Sequence, residues 1–232
     1  MEVVNDNSCG WINDLPKRDN IKSINKDEIC DFLIVGAGYT GLSAARQLSK
    51  INSNFKIIII DAQLAGEGAS GRNSGYLVDT TLNDSYSFKR DIEAYKKKIN
   101  IYDLGIKTVK EFIKNYQVDC DWNESGKYFA SSLIKDLKKI EKFKKILDEL
   151  DFENQILNEN QLKQRLGTNF YKTGIYTKGG ILLHPAKLVR AMIDVLPENV
   201  ALLENSFLNS WRQFNSKIES IVNNYKIISN KI

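Results

Sequence analysis

A chain of 232 residues with 42% hydrophobic side chains holds apolar material for one large domain or two small ones, which excludes a short fibrous or disordered protein. Its net charge of +4 is dispersed, with Lys138, Lys139, Lys144 and Lys145 interleaved with Glu141, Asp148 and Glu149 as on a solvated helix face, so no nucleic-acid partner is expected. No apolar run reaches a membrane span, and the polar, acidic residues 1–7 predict a cytoplasmic chain without a secretory signal; Cys9, Cys30 and Cys120, odd in number and far apart, predict free thiols and no metal site.

Residues 1–29 show little periodicity and read as an N-terminal arm anchored by Trp11, Leu15 and Pro16. Residues 30–84 then carry a βαβ unit. The apolar run at 32–35 is a strand, Gly36-Ala37-Gly38-Tyr39-Thr40-Gly41 a tight turn, and the segment from Tyr39 through Leu48 a helix. A second strand, 55–60, stops at Asp61, and a second glycine-rich loop, Gly66-Glu67-Gly68-Ala69-Ser70-Gly71-Arg72-Asn73-Ser74-Gly75, comes directly after it.

Residues 85–178 form a helical and hairpin insertion that begins a substrate-domain region. Ile92, Tyr95, Ile99, Tyr102, Ile106, Val109 and Ile113 repeat in steps of three and four, which predicts a long helix over 85–116, weakened or bent near Gly105. The pattern stops after about three heptads, so the helix is expected to lie on its own domain rather than in a coiled coil. Strands are expected at 118–122 and 127–131 around the turn Asn123-Glu124-Ser125-Gly126, then a helix over 133–150, a short helix at 161–166 stopped by Gly167, and a strand at 174–177. Residues 179–232 return to the nucleotide domain. His184-Pro185 opens a helix through Leu196, and 200–204, 207–212, 218–222 and 225–229 read as strands. Strands and helices alternate early and late around a more helical middle, the pattern of an α/β nucleotide domain interrupted by an α+β region.

The first loop assigns each glycine a place. Gly36 permits the sharp turn, Gly38 lets a phosphate approach bare backbone, and Gly41 lets the helix pack on the strand. The helix beginning near Tyr39, with Thr40 in its first turn, aims about half a positive charge at a pyrophosphate. Asp61 stands beyond Gly41 at about the 20-residue spacing that brings a carboxylate to an adenosine ribose.

Val35-Gly36-Ala37-Gly38-Tyr39-Thr40-Gly41-Leu42-Ser43, together with Gly68-Ala69-Ser70-Gly71-Arg72-Asn73-Ser74-Gly75, resembles the FAD-dependent D-amino-acid oxidase superfamily. Within it the chain is most similar to the γ-glutamylputrescine oxidase group, where a GASGRN(G/S)G stretch succeeds the ribose-binding acid. Cys120-Asp121 before Gly126, and Gly179-Gly180 before His184-Pro185, also stand in the family's order. The resemblance covers most of residues 30–229 and is most specific in the two loops. It implies a Rossmann-like FAD-binding domain of the glutathione-reductase type, with FAD as cofactor. The second loop, from Gly68 and Ala69 onward, would run beside the pyrophosphate and ribityl chain, with Ser70 and Arg72 on phosphate or ribityl oxygens. Asn73, Ser74 and Gly75 would lie near the isoalloxazine. Asp61, with Ala62 beside it, replaces the commoner glutamate at the ribose, and the backbone of Leu208 would meet adenine.

The resemblance further implies oxidation at the CH–NH bond of a small amine or amino acid, hydride passing to the flavin and the imine then hydrolysing. Such a reaction leans on positioning more than on acid–base groups, and no residue is nominated as catalytic. His184, the only histidine, is expected to cap or pack at its helix start rather than act as a general base. Family members are longer, so the chain is expected to be an N-terminal part. Two alternatives stand beside this reading. A nicotinamide-dependent dehydrogenase would suit the first loop and Asp61 equally but not the second loop, and a truncated remnant would hold a nucleotide without catalysis.

Overall fold

The computed structural model describes residues 9–79 and 92–232; the polar N-terminus and the expected first turn of the long helix, 85–91, lie outside the described residues. In chain order the elements are α1 (Gly10–Asn13), β1 (Glu28–Val35), α2 (Tyr39–Ile51), β2 (Ile57–Ile60), β3 (Tyr76–Val78), α3 (Ile92–Tyr116), β4 (Lys127–Ser131), α4 (Leu137–Glu149), β5 (Asn154–Asn158), α5 (Glu159–Leu166), β6 (Thr173–Thr177), β7 (Gly180–Leu182), α6 (Pro185–Asp194), β8 (Val200–Leu203), β9 (Leu208–Phe214), β10 (Lys217–Val222) and β11 (Tyr225–Lys231). They divide into two compact units. One comprises Met1–Ser74, Val118–Cys120 and His184–Ile232, the other Gly75–Gln117 and Asp121–Leu183.

The first unit is built on a six-stranded sheet in the order β8-β2-β1-β11-β10-β9. β8, β2, β1 and β11 run parallel, while β9, β10 and β11 form an antiparallel meander. β2 is Ile-Ile-Ile-Ile and is buried at every position, as a parallel strand covered on both faces should be. α2 packs against β1, β2 and β8 through the buried Leu42 and Ala45. Ile24, Cys30, Leu33, Ile58, Ile60, Val222 and Ile227 form one core cluster, which ties the N-terminal arm to the sheet and the meander. All three cysteines are free, and burial pushes the Cys30 thiol up to about 12.

The second unit holds an antiparallel sheet, β4-β6-β5, and a two-stranded ribbon, β3-β7. α4 closes on β5 and β6 with Ile140, Phe143 and Leu147 around Ile175. α5 starts two residues before the helix expected at 161, because Asn158 and Gln161 form a reciprocal capping box, and it ends where Gly167 turns left-handed at φ 69°. α3 runs unbroken through Gly105 and has no buried residue; its apolar stripe is half-covered, with Ile101 and Leu104 exposed. Among the described residues no helix is long and apolar enough to cross a membrane.

One expected strand does not form. Gln117 and Asp121 take φ values of 52° and 54°, and these left-handed residues on either side of 118–120 interrupt an extended segment there. The expected strand at 127–131 pairs with β6 instead, and Asn123, expected in the turn, makes an isolated bridge with Leu182. The short strands β3, β5 and β7, and the single turn α1, were not expected from the sequence pattern.

Replacing Leu33, a β1 residue only 1% exposed, by alanine should cost about 2–5 kcal/mol of stability, whereas Ile51→Ala on the exposed end of α2 should stay within about 0.5 kcal/mol. Urea unfolding of the two variants checks this, and equal midpoints would contradict the placement of the core.

Candidate nucleotide-binding site

The first unit brings three chain segments to one end of its sheet. Val35 pairs with Ile60, and Ile60 with Leu203, so the next residues, Gly36, Asp61 and Glu204, leave the sheet side by side. The ladder extends one step into these loops: Gly36 N–H donates to the Ile60 carbonyl at 2.8 Å, and Asp61 N–H to the Leu203 carbonyl at 3.0 Å. Ligands of open α/β sheets bind at this carboxyl end of the strands.

Gly36 turns the chain at φ 98°, a region that L side chains rarely enter. A Cβ on Gly41 would overlap the Gly36 carbonyl oxygen, so only glycine closes the turn against the head of α2. The first N–H groups of α2 have no intrahelical acceptor, and a helix head of this kind suits an anion. Asp61 links strand end to loop. Its Oδ2 accepts the Ala37 N–H at 2.7 Å and its Oδ1 the Gln63 N–H at 2.9 Å. A carboxylate offers about four lone-pair sites, so two remain open to further donors.

The second loop repeats the first. Gly66-x-Gly68-x-x-Gly71 has the spacing of Gly36-x-Gly38-x-x-Gly41. Gly66 has φ 77°, and a Cβ on Gly71 would overlap the Gly66 carbonyl oxygen just as one on Gly41 would overlap that of Gly36. In place of a helix, the second loop runs into a single turn. Gly71 N–H donates to Gly68 O and Arg72 N–H to Ala69 O, and Asn73 Nδ2 closes the turn on the Ala69 and Ser70 carbonyls at 3.3 and 2.8 Å. Arg72 Nε donates to the Glu67 carbonyl at 2.6 Å, bracing the loop from inside.

The two loops touch. Tyr39 N–H, in the first turn of α2, donates to Ser70 Oγ at 3.1 Å, and a Cβ on Gly38 would lie 2.6 Å from the same oxygen. The Tyr39 phenol donates to the Pro185 carbonyl at 3.0 Å. Burial, opposed by a hydrogen bond from Asn73, pushes that phenol up to about 12, so it stays a neutral donor under ordinary conditions. Gly36, Gly38, Tyr39, Gly41, Asp61 and Ser70 are therefore linked by short hydrogen bonds or by closures that only glycine permits. Thr40, Ala62, Gly68, Ala69, Asn73 and Ser74 lie exposed around them. Gly75 falls in the second unit. Leu208 opens β9, where its half-buried side chain packs on the sheet's core.

His184 caps α6. Its Nδ1 accepts the Lys187 N–H at 3.1 Å with Pro185 in the first turn, and the Trp11 ring packs edge-on at 4.8 Å. Three participants fell outside the sequence-derived set: Gly66, Gly71 and Ala37. The first two had a signal, the second GxGxxG spacing; Ala37 takes part only through its backbone.

A family model described as FAD dependent oxidoreductase (DAO) matches residues 31–224. The gamma-glutamylputrescine oxidoreductase of Escherichia coli K12 is 29% identical over 187 residues, which are 76% of this chain and 42% of that protein. Among solved structures, glycine oxidase from Geobacillus kaustophilus superposes with a TM-score of 0.73 at 16% identity, covering 88% of this chain and 54% of that one. L-proline dehydrogenase from P. horikoshii gives 0.69 at 14%, covering 89% and 53%. The chain thus spans about half the length of these solved structures and less of the curated relative.

The shared loop geometry makes Gly41→Ala and Gly71→Ala equivalent lesions. Each should cost on the order of 1–3 kcal/mol, while Gly10→Ala, whose Cβ would meet nothing within 4 Å, should cost little or nothing. Thermal unfolding of the three variants checks this, and a harmless Gly71→Ala would contradict the repeat.

Proposed function

The chain belongs to the FAD dependent oxidoreductase (DAO) family, and on that premise we propose that it holds the adenosine and pyrophosphate of FAD in a protein that oxidises the CH–NH bond of an amine or amino acid. The observation that carries this reading is the pair of like-folded glycine loops joined through Ser70, with the Asp61 carboxylate beside the first. Their fit to a dinucleotide is steric and electrostatic. Bare backbone stands where side chains would collide with the loop or its neighbour, and N–H donors gather at a helix head.

In this reading Gly38, Thr40 and Gly41 receive the pyrophosphate through backbone N–H groups, while Gly36 and Tyr39, whose own N–H groups bond Ile60 and Ser70, shape the turn around it. Asp61 and Ala62 stand at the ribose. Gly68, Ala69, Ser70 and Arg72 flank the pyrophosphate and ribityl chain, Asn73, Ser74 and Gly75 lead toward the ring, and the Leu208 backbone meets adenine. Bound FAD supplies the two-electron acceptance that no set of side chains here provides. The chain's own residues bind and orient, and none is assigned to proton transfer. The amine class comes from the name of the Escherichia coli relative and from the amino acids named for the solved structures. A nicotinamide cofactor suits the first loop as well, but leaves the second without a partner.

Titration of the chain with FAD should quench flavin fluorescence saturably. Gly38→Val, which pushes a side chain into Ser70 Oγ, should weaken binding by about 100-fold with the far-UV spectrum unchanged. Saturable binding of NADH instead of FAD would overturn the cofactor assignment.

A further inference from the structure

We infer that residues 9–24 of the N-terminal arm act as a strap that sets the second glycine loop, with Arg18 and Glu204 as its positioning pair. The inference rests on the reading of that loop as part of an FAD site. Glu204 directly succeeds β8 and is 1% exposed. Its two carboxylate oxygens are gripped by the Arg18 guanidinium in a bidentate pair, with Nη2 donating to Oε2 at 2.8 Å. The same Oε1 accepts the Ala65 N–H at 2.7 Å. Ala65 directly precedes Gly66, the glycine whose carbonyl closes against Gly71.

A buried carboxylate is tolerated when paired and hydrogen-bonded, and Glu204 meets both conditions. Arg18 supplies the opposite charge, and Ala65 the backbone donor that fixes where the loop begins. A second guanidinium, Arg190, donates to the Pro16 carbonyl at 2.9 Å and ties down the arm, near enough to Arg18 and Glu204 to interact with both charges. Further contacts continue the strap along its length. Cys9 Sγ lies 4.0 Å from the Gly71 carbonyl in the middle of the loop, and Trp11 packs on His184. Ile12 and Leu15 line one crevice with Ala65, Gly66 and Val189. Beyond Arg18, the Lys22 carbonyl accepts the Glu204 N–H at 2.7 Å, and Ile24 N–H donates to Ser206 Oγ at 3.0 Å before its side chain enters the core. The arm therefore sets the start of the loop at Ala65 through Glu204, and lies against its middle at Gly71 through Cys9.

The test compares the chain with its Arg18→Met, Arg18→Lys and Glu204→Gln variants and the Arg18→Met/Glu204→Gln double variant by amide hydrogen exchange without cofactor, and by FAD titration. In Arg18→Met, exchange at Ala65 and through residues 66–71 should accelerate by about tenfold, with the β1 and β2 amides unchanged. FAD should bind about tenfold more weakly, Arg18→Lys should fall between, and the double variant should be no worse than the worse single one. Unchanged exchange at Ala65, or acceleration spread equally over β1, β2 and the loop, would overturn the strap. If Arg18→Met does not fold, Arg18→Lys, which keeps the charge but loses the fork, carries the same comparison. Failure of the unmodified chain to bind FAD would sink the cofactor reading, while the exchange data would still decide the strap.

Discussion

The in-register parallel ladder of β8, β2 and β1 is the constraint on which the rest of the site depends. Because Leu203, Ile60 and Val35 are paired across the sheet, the chain must leave it at Glu204, Asp61 and Gly36 together. A slip of one residue in any pair would turn Asp61 to the other face of the sheet and break its bond to the Ala37 N–H. The isoleucines of β2 bury the strand on both faces without distinguishing one register from the next; the polar residues at its two ends do that, Lys56 N–H donating to Asp31 and Asp61 accepting the Ala37 N–H.

On this base the two glycine loops solve the same steric problem twice. Each needs a left-handed first glycine, and each needs a third glycine that accepts the first one's carbonyl where a Cβ would otherwise stand. They differ in the element each leads into. The first opens α2, whose dipole persists over its 13 residues, while the second ends after one turn sealed by Asn73. The second loop therefore draws its order from outside, from Ser70 against α2, from α6, where Val189 meets Gly66, and from Glu204 at Ala65. That dependence gives the arm its importance.

The legible part of this protein was local. The strand, turn, helix, strand and terminal acid of residues 30–61 lie within a few turns of chain, and period, glycine placement and capping chemistry identify them directly. His184-Pro185 as a helix start belongs with them, since its cap bonds three residues on. What sequence pattern could not supply was long-range. Arg18 and Glu204 stand 186 residues apart, and no spacing rule joins them. The strand expected at 118–122 failed for a different reason: left-handed backbone at Gln117 and Asp121 overrode the propensity of Val118 and its neighbours. The short strands β3 and β7 exist through partners distant in sequence and carry little signal of their own.

The central claim is that both glycine loops act as one receptor for a dinucleotide. Titrating the isotopically labelled chain with ADP while monitoring backbone amide resonances tests it most directly. Ala37, Gly38, Thr40 and Gly41 should shift together with Gly68, Ala69 and Ser70 along a single saturation curve. Shifts confined to the first loop, or separate curves for the two, would contradict it.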